Sequence, residues 1–185
     1  FLENKLSRIF ISITTEDNVL KYHLLNSGRR EEVELLEEKK RLGTMGALGF
    51  MKDYKNTDNI IVTNCDIILN QNYNKILKYH KNKKNDLTVV TAEKLLQNSY
   101  GVCEEKKGKL YKLTEKPKTS SLLNIGFYII SFKVLNLLVK NKRYDLGDFL
   151  KLLMKKNKSI GLYKVKDEDW FDVGQWDKFD RINKI

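Results

Sequence analysis

Short apolar runs alternate with amphipathic stretches through the first half of the chain. Arg8–Ile13 (RIFISI) is a β-branched run bounded by polar residues and predicts a buried strand. Thr15 can cap a helix over Glu16–Leu25 that ends near Asn26-Ser27-Gly28. Glu32–Leu36 predicts a second strand, and the small-residue loop Leu42-Gly43-Thr44-Met45-Gly46 opens a helix over Ala47–Tyr54. Asn59–Thr63 (NIIVT), a continuous apolar run after a polar turn, predicts a buried parallel strand. Asn72–Lys81 predicts a helix with Tyr73, Ile76, Leu77 and His80 on one face, and Leu87–Ala92 a further strand. The order β-α-β-α-β-α-β predicts a largely parallel sheet with right-handed crossovers.

The pattern then changes. Gly101–Glu105 and Lys109–Thr114 flank Lys106-Lys107-Gly108, a hairpin signal. Asn124–Ser131 (NIGFYIIS) predicts a long apolar strand. Val134–Lys140 and Leu146–Lys155 are helical by period. Ser159–Val165 and Trp170–Asp172 predict strands, and Gln175–Ile182 a closing helix. Phe1–Lys5 reads as the tail of a helix running into the first strand. There is no internal repeat and no low-complexity linker, so residues 1–185 read as one α/β domain, long enough to bury a core without disulfides.

The net charge of +11 invites a nucleic-acid reading, but its make-up argues against one. Of the 35 basic residues 29 are Lys and 6 are Arg, whereas a nucleic-acid face more often clusters Arg with aromatics. The densest runs, Lys81–Lys84, Lys106–Lys109 and Lys151–Lys158, fall at helix ends or turns, where solvated charge is the ordinary reading. Nucleic acid is therefore disfavoured as a partner, and small anionic substrates fit the charge better. No apolar run approaches the roughly 18 residues of a membrane span, and no secretory leader is recognisable. Cys65 and Cys103 form no CxxC, which fits a reducing cytoplasm with both thiols buried. His23 and His80 have no partner at ligand spacing and read as helix-surface residues.

Candidate chemistry sits where strands end, because ligands of open α/β sheets bind beyond the carboxyl ends of the strands. Asp66 follows the strand Asn59–Thr63, and Asp172 stands in Trp170-Phe171-Asp172-Val173-Gly174. Carboxylates so placed are natural Mg²⁺ ligands; a turn or helix-capping Asp is the structural counterpart. The loop Leu42–Gly46 offers close backbone approach and N–H groups to a nucleotide, although Gly and Thr also open ordinary helices. Glu115-Lys116-Pro117 holds the only Pro in the chain. A fixed turn there would present Lys116 to a phosphate, or simply close a hairpin.

Together these pieces resemble the sugar-1-phosphate nucleotidyltransferases, the sugar-nucleotide pyrophosphorylase family. Leu42-Gly43-Thr44-Met45-Gly46-Ala47-Leu48 is similar to its Leu-Gly-Thr-Ala-Gly-Ala-Leu, and Ile60–Asp66 to its strand ending in Gly-Asp. Tyr100-Gly101-Val102 resembles its Tyr-Gly-Val, Glu115-Lys116-Pro117 its Glu-Lys-Pro, and Asn124-Ile125-Gly126-Phe127-Tyr128 its Asn-Ala-Gly-Ile-Tyr. Trp170–Gly174 resembles its Trp-x-Asp-Ile-Gly. Six motifs stand in family order, with the nearest likeness to the mannose-1-phosphate guanylyltransferase-like branch.

The resemblance implies a Rossmann-like mixed, mostly parallel sheet with flanking helices, of the nucleotide-diphospho-sugar transferase type. It implies that Leu42, Gly43, Thr44 and Gly46 lie near the nucleotide. Asp66 and Asp172 would hold Mg²⁺. Tyr100, Gly101, Glu115, Asn124 and Gly126 would line a sugar pocket, and Lys116 would meet the sugar phosphate. The implied reaction joins an NTP and a sugar-1-phosphate into an NDP-sugar and pyrophosphate, with GTP and a mannose-like sugar first in order. Asn64-Cys65 before the metal Asp, Ile125 and Met45 depart from the family pattern toward bulk. The family's Gly-Gly-x-Gly-Thr-Arg loop and its preceding strand have no counterpart in residues 1–185. The expectation is therefore an N-terminally truncated domain with little pyrophosphorylase activity. Its open strand edges would favour pairing with another chain, as in a homo-oligomer. A non-catalytic sugar-phosphate-binding or regulatory module is the competing expectation.

Overall fold

The computed structural model describes residues 8–26, 28, 33–54 and 57–174. Strand β1 (Ile9–Thr14) is followed by helix α1 (Asn18–Asn26) and strand β2 (Val33–Glu38). β1 and β2 pair in parallel from Ile9↔Val33 to Thr14↔Glu38, a β-α-β crossover. The turn into α1 is built on Asp17, whose carboxylate accepts from Thr14 N at 2.8 Å and Thr14 Oγ1 at 2.7 Å. A 3-10 helix over Gly46–Asp53 stands where an α-helix was expected; two glycines in eight residues weaken the α form.

Strands β3 (Asn59–Thr63) and β4 (Ile67–Leu69) lead to helix α2 (Tyr73–Asn82). The Asn72 side chain caps α2 by accepting from Asn74 N. Strand β5 (Leu87–Gln97) runs five residues past its expected end. The hairpin β6 (Val102–Lys106) and β7 (Lys109–Thr114) turns at Lys107 and Gly108, both at positive φ (54° and 75°) as a two-residue hairpin turn requires. Strand β8 (Lys118–Ser131) begins six residues earlier than expected. A 3-10 helix (Phe132–Leu137), helix α3 (Leu146–Lys155), strand β9 (Ile160–Val165) and strand β10 (Trp170–Asp172) complete the order. The expected helix over Gln175–Ile182 and the segment Phe1–Lys5 lie outside the described residues.

The hydrogen-bonded strand orders are β1-β2, β4-β10, β6-β7 and β3-β8-β5-β9. Among the described residues β1 pairs with β2 alone and β3 with β8 alone, so one ladder edge of each is left open. We expect concentration-dependent association in light scattering; a strict monomer at high concentration would contradict this.

The chain divides into two compact units, 1–64 with 72–88 and 128–161, and 65–71 with 89–127 and 162–185. The first buries Leu42, Met45, Leu48, Ile76, Ile130, Leu135, Phe149 and Leu153. The second buries Val89, Val90, Ile125, Phe127 and Trp170. Burying a side chain of this size stabilises by about 2 kcal/mol.

Two expectations about burial fail. Cys65 and Cys103 are exposed, because Cys65 lies in the turn between β3 and β4 and Cys103 in the two-stranded hairpin, which has no covered face. His80 is no surface residue: it is 1% exposed, on the same face of α2 as Tyr73 and Ile76.

His80 is buried because both ring nitrogens are satisfied. Nδ1 lies 2.8 Å from Thr88 Oγ1 and Nε2 lies 3.0 Å from Ser131 Oγ. Ser131 Oγ donates to Asn85 O, so it accepts from Nε2–H, which assigns the neutral ring its proton. Nδ1 then accepts from Thr88, and Thr88 Oγ1 in turn accepts from Asn85 Nδ2 at 3.0 Å. Asp86 adjoins this circuit. Ser159 N donates to its Oδ2 at 2.9 Å, and the Lys133 ammonium lies 2.9 Å from its Oδ1.

Burial lowers the His80 pKa; Asp86 opposes this, and Lys133 and Lys81 add to it. The unfolded chain therefore binds the extra proton more readily than the folded one. The stabilisation is complete above about pH 6.5 and is lost as pH falls from there toward the lowered folded value. Burial pushes Asp86 up, but the Lys133 and Ser159 hydrogen bonds outweigh it and hold the carboxyl low, so its loss comes only at more acid pH. We expect a lower Tm at pH 5 than at pH 7.5, with a smaller difference in His80→Gln. An equal difference in both proteins would remove His80 as the cause.

Candidate active site

The nucleotide candidates lie in the first unit and the metal and sugar candidates in the second, and each cluster is built within its own unit. The loop Leu42–Gly46 is fixed by its neighbours. Tyr144 N donates to Leu42 O at 2.8 Å and Met45 N to Tyr144 O at 3.0 Å, while the Leu42 side chain is buried. This clamp leaves Thr44 exposed at the tip. Gly43 has φ 76°, and a Cβ there would lie 2.3 Å from Asp145 Oδ1 and 2.8 Å from Tyr144 O. Gly46 is restricted by space alone, its added Cβ falling 2.6 Å from Leu42 Cβ. Gly43→Ala is therefore expected to cost about 2–3 kcal/mol and to displace the loop, since neither the dihedral nor the Tyr144 carbonyl can give way. A thermal melt within 1 °C of wild type would contradict it.

In the second unit β4 and β10 pair antiparallel, with Asp172 opposite Ile67. Asp66, just before β4, is tied in by Val173 N donating to its carbonyl at 2.8 Å. Pairing brings the two acids together. A Cβ added at Gly174 would lie 3.1 Å from Asp172 Oδ1 and 3.4 Å from Asp66 Oδ2, so both carboxylates face the space that Gly174 leaves empty. Gly174 N donates to Asp172 Oδ1 at 3.0 Å, orienting that carboxylate. Two hard oxygen donors beside an open space suit Mg²⁺, which takes few protein ligands and completes its shell with phosphates and water. Among the described residues no group of three or more His, Cys, Asp or Glu is placed to hold a metal ion.

Among the sugar candidates, Gly101 and Glu115 are brought together: a Cβ at Gly101 would lie 3.1 Å from Glu115 Oε1. Asn124 Oδ1 accepts from Gly126 N at 3.1 Å, folding its side chain over a residue at φ 79°. Tyr100 is exposed, its backbone N–H donating to Asn98 Oδ1. Lys116 is exposed between β7 and β8 with φ 42°, a backbone shape uncommon outside Gly, held by Pro117 whose carbonyl accepts from Asn98 N. An open cleft of about 580 Å³ lined by Leu96, Val102, Lys112, Thr114 and Pro117 takes in none of these candidates. From sequence Gly174 is visible only as the last position of the motif Trp170–Gly174, and nothing local there marks the space it leaves beside the two acids.

Comparison with known proteins bears on the family and the fold. The profile of the nucleotidyl transferase family matches residues 2–185. A Sulfolobus acidocaldarius protein provisionally named mannose-1-phosphate guanyltransferase is 29% identical over 179 residues, 95% of this chain and 49% of that protein. Mannose-1-phosphate guanylyltransferase catalytic subunit beta of Xenopus tropicalis is 25% identical over 139 residues, 71% of this chain and 39% of that protein. The chain thus spans half or less of the length of these curated relatives. The crystal structure of HddC from Yersinia pseudotuberculosis, also solved complexed with GMP-PN, superposes with TM-score 0.69 at 21% identity, covering 99% of this chain and 80% of that one. That likeness shows the fold, mixed α/β with a largely parallel central sheet. By the match along its whole length, the chain belongs to the nucleotidyl transferase family.

Proposed function

We propose that this chain serves nucleotidyl transfer from an NTP to a sugar-1-phosphate, with GTP and a mannose-like sugar phosphate as first candidates. The observation that carries the reading is the convergence of Asp66 and Asp172 on Gly174. In the reaction a phosphate oxygen of the sugar-1-phosphate attacks the α-phosphorus of the NTP. The new P–O bond makes the NDP-sugar, and the electron pair of the broken bond leaves on pyrophosphate. The attacking oxygen is already anionic, so no side chain need take a proton. Rate then rests on in-line positioning and on neutralising charge.

Asp66 and Asp172 would hold Mg²⁺, which neutralises phosphate charge and orients the reacting groups. Lys116 would pair with the sugar phosphate, and Gly101, Glu115, Tyr100, Asn124 and Gly126 would receive sugar hydroxyls. Leu42, Gly43, Thr44 and Gly46 would receive the nucleotide through backbone groups. Lys116 is the one cation among these residues, and a triphosphate asks for more. Residues 1–185 alone are therefore expected to bind sugar phosphate and turn over slowly.

The test is calorimetric titration with mannose-1-phosphate and glucose-1-phosphate in Mg²⁺, with pyrophosphate release from GTP, dTTP and UTP measured alongside. Mg²⁺-dependent binding that Lys116→Ala weakens about tenfold supports the reading. Sugar-phosphate binding with no release under any nucleotide would make the chain a binding or regulatory module. Absence of sugar-phosphate binding would remove both.

A further inference from the structure

Glu38 ends β2 with its side chain turned inward, 6% exposed. Its two oxygens have separate duties. Oε2 accepts from Leu42 N at 2.7 Å, and Oε1 accepts from Ser12 Oγ on the neighbouring strand β1. Its own carbonyl accepts from Thr15 N at 3.0 Å, so the backbone is tied into the end of the parallel pair as well. Among the described residues no ion pair is found for it. Keeping a carboxylate inside without a cation is costly, and the two hydrogen bonds that its oxygens accept, from Leu42 N and Ser12 Oγ, indicate where the compensation lies.

The geometry concerns Leu42 above all. Its N–H is held by Glu38, its C=O by Tyr144 N, and its side chain is buried. Leu42 is therefore pinned from three sides, and the next two residues, Gly43 at φ 76° and exposed Thr44, project from a fixed base. Glu38 and Ser12 stand at the carboxyl ends of parallel strands, the side of an α/β sheet where ligands bind. Four positions separate Glu38 from Leu42, and a charged residue there reads from sequence as ordinary strand-end polarity.

We propose that Glu38 is the positioning residue of the Leu42–Gly46 loop. Its carboxylate sets the loop backbone in the conformation that receives the nucleotide. The second half of this statement rests on the nucleotide reading above. Glu38 acts through Leu42 and touches no substrate. The amide oxygen of Gln can still accept from Leu42 N–H, whereas Ala can accept from neither donor.

The test is amide hydrogen exchange across the chain, with GTP–Mg²⁺ and mannose-1-phosphate titrations of the same proteins. Glu38→Ala is expected to speed exchange in peptides covering 42–46 about tenfold or more while peptides of α3 stay unchanged. Glu38→Gln, which keeps an acceptor for the Leu42 N–H, is expected to restore most of the protection. GTP affinity is expected to fall about tenfold in Glu38→Ala, with mannose-1-phosphate affinity unchanged. Wild-type exchange over 42–46 in both variants would overturn the proposal. So would faster exchange spread evenly over the first unit, which is the mark of a merely structural acid. Selective loosening of the loop in a protein that binds no GTP would uphold the positioning role and overturn the nucleotide reading.

Discussion

Asp172→Asn and Asp66→Asn are each expected to erase the Mg²⁺-dependent rise in melting temperature and to lower turnover by at least about a hundredfold. The β4-β10 pairing sets Asp172 opposite Ile67, and the Val173 N–H holds the Asp66 carbonyl. The two carboxylates therefore meet beside Gly174 because of backbone pairing, independently of any ion. Asn keeps the shape and one acceptor oxygen but removes the charge on which a hard divalent cation depends. At a Mg²⁺ concentration about ten times its Kd, wild type gains about 1.4 kcal/mol, or about 3–6 °C in Tm. The variants should gain nothing, and chelation with EDTA should return wild type to their level. Gly174→Ala provides an independent check with both charges kept, since its Cβ would enter the space that the carboxylates face. An undiminished Mg²⁺ shift in either Asp variant would exclude these residues as the site.

Local order was legible where one segment carries its own signal. The apolar period of Leu146–Lys155 gave α3 to the residue, and the run NIIVT gave β3. Lys107-Gly108 marked the hairpin because a two-residue turn demands positive φ. What was hidden depends on distant partners. β4 is three residues long, and its strand character exists only because Trp170–Asp172 lies against it. The exposed first half of β8 has no apolar pattern to read, being a strand by virtue of its ladder.

The site follows the same division. Asp66 and Asp172 were each ambiguous as single strand-end acids, and the order of the motifs gave them a shared role. Their meeting place at Gly174 is a property of the folded pair. His80 shows the limit most sharply. Its burial needs a hydroxyl from β5 and another from β8, and neither stands near it in the helical pattern.

Gly161→Ala is expected to be among the most destabilising single substitutions in the first unit, at about 3 kcal/mol. Gly161 lies in β9, and a Cβ there would fall 2.0 Å from Asn85 Nδ2, 2.7 Å from its Cγ and 3.0 Å from its Oδ1. The Asn85 side chain has no free direction to retreat. It is 6% exposed, its amide donates to Thr88 Oγ1, and its Oδ1 accepts from Ser159 Oγ at 3.2 Å. Displacing it breaks both bonds and unsettles Thr88, the hydroxyl that completes His80 Nδ1. Overpacking and an unsatisfied buried amide each cost about 1–3 kcal/mol, so a Tm loss on the order of 10 °C is expected. The pair Asn85→Ala with Gly161→Ala separates the two causes. Removing the amide relieves the clash, so the double variant should lose clearly less than the sum of the singles. A Gly161→Ala protein within about 0.5 kcal/mol of wild type would mean that Asn85 moves freely, and the buried circuit around His80 would then lose its claim to rigidity.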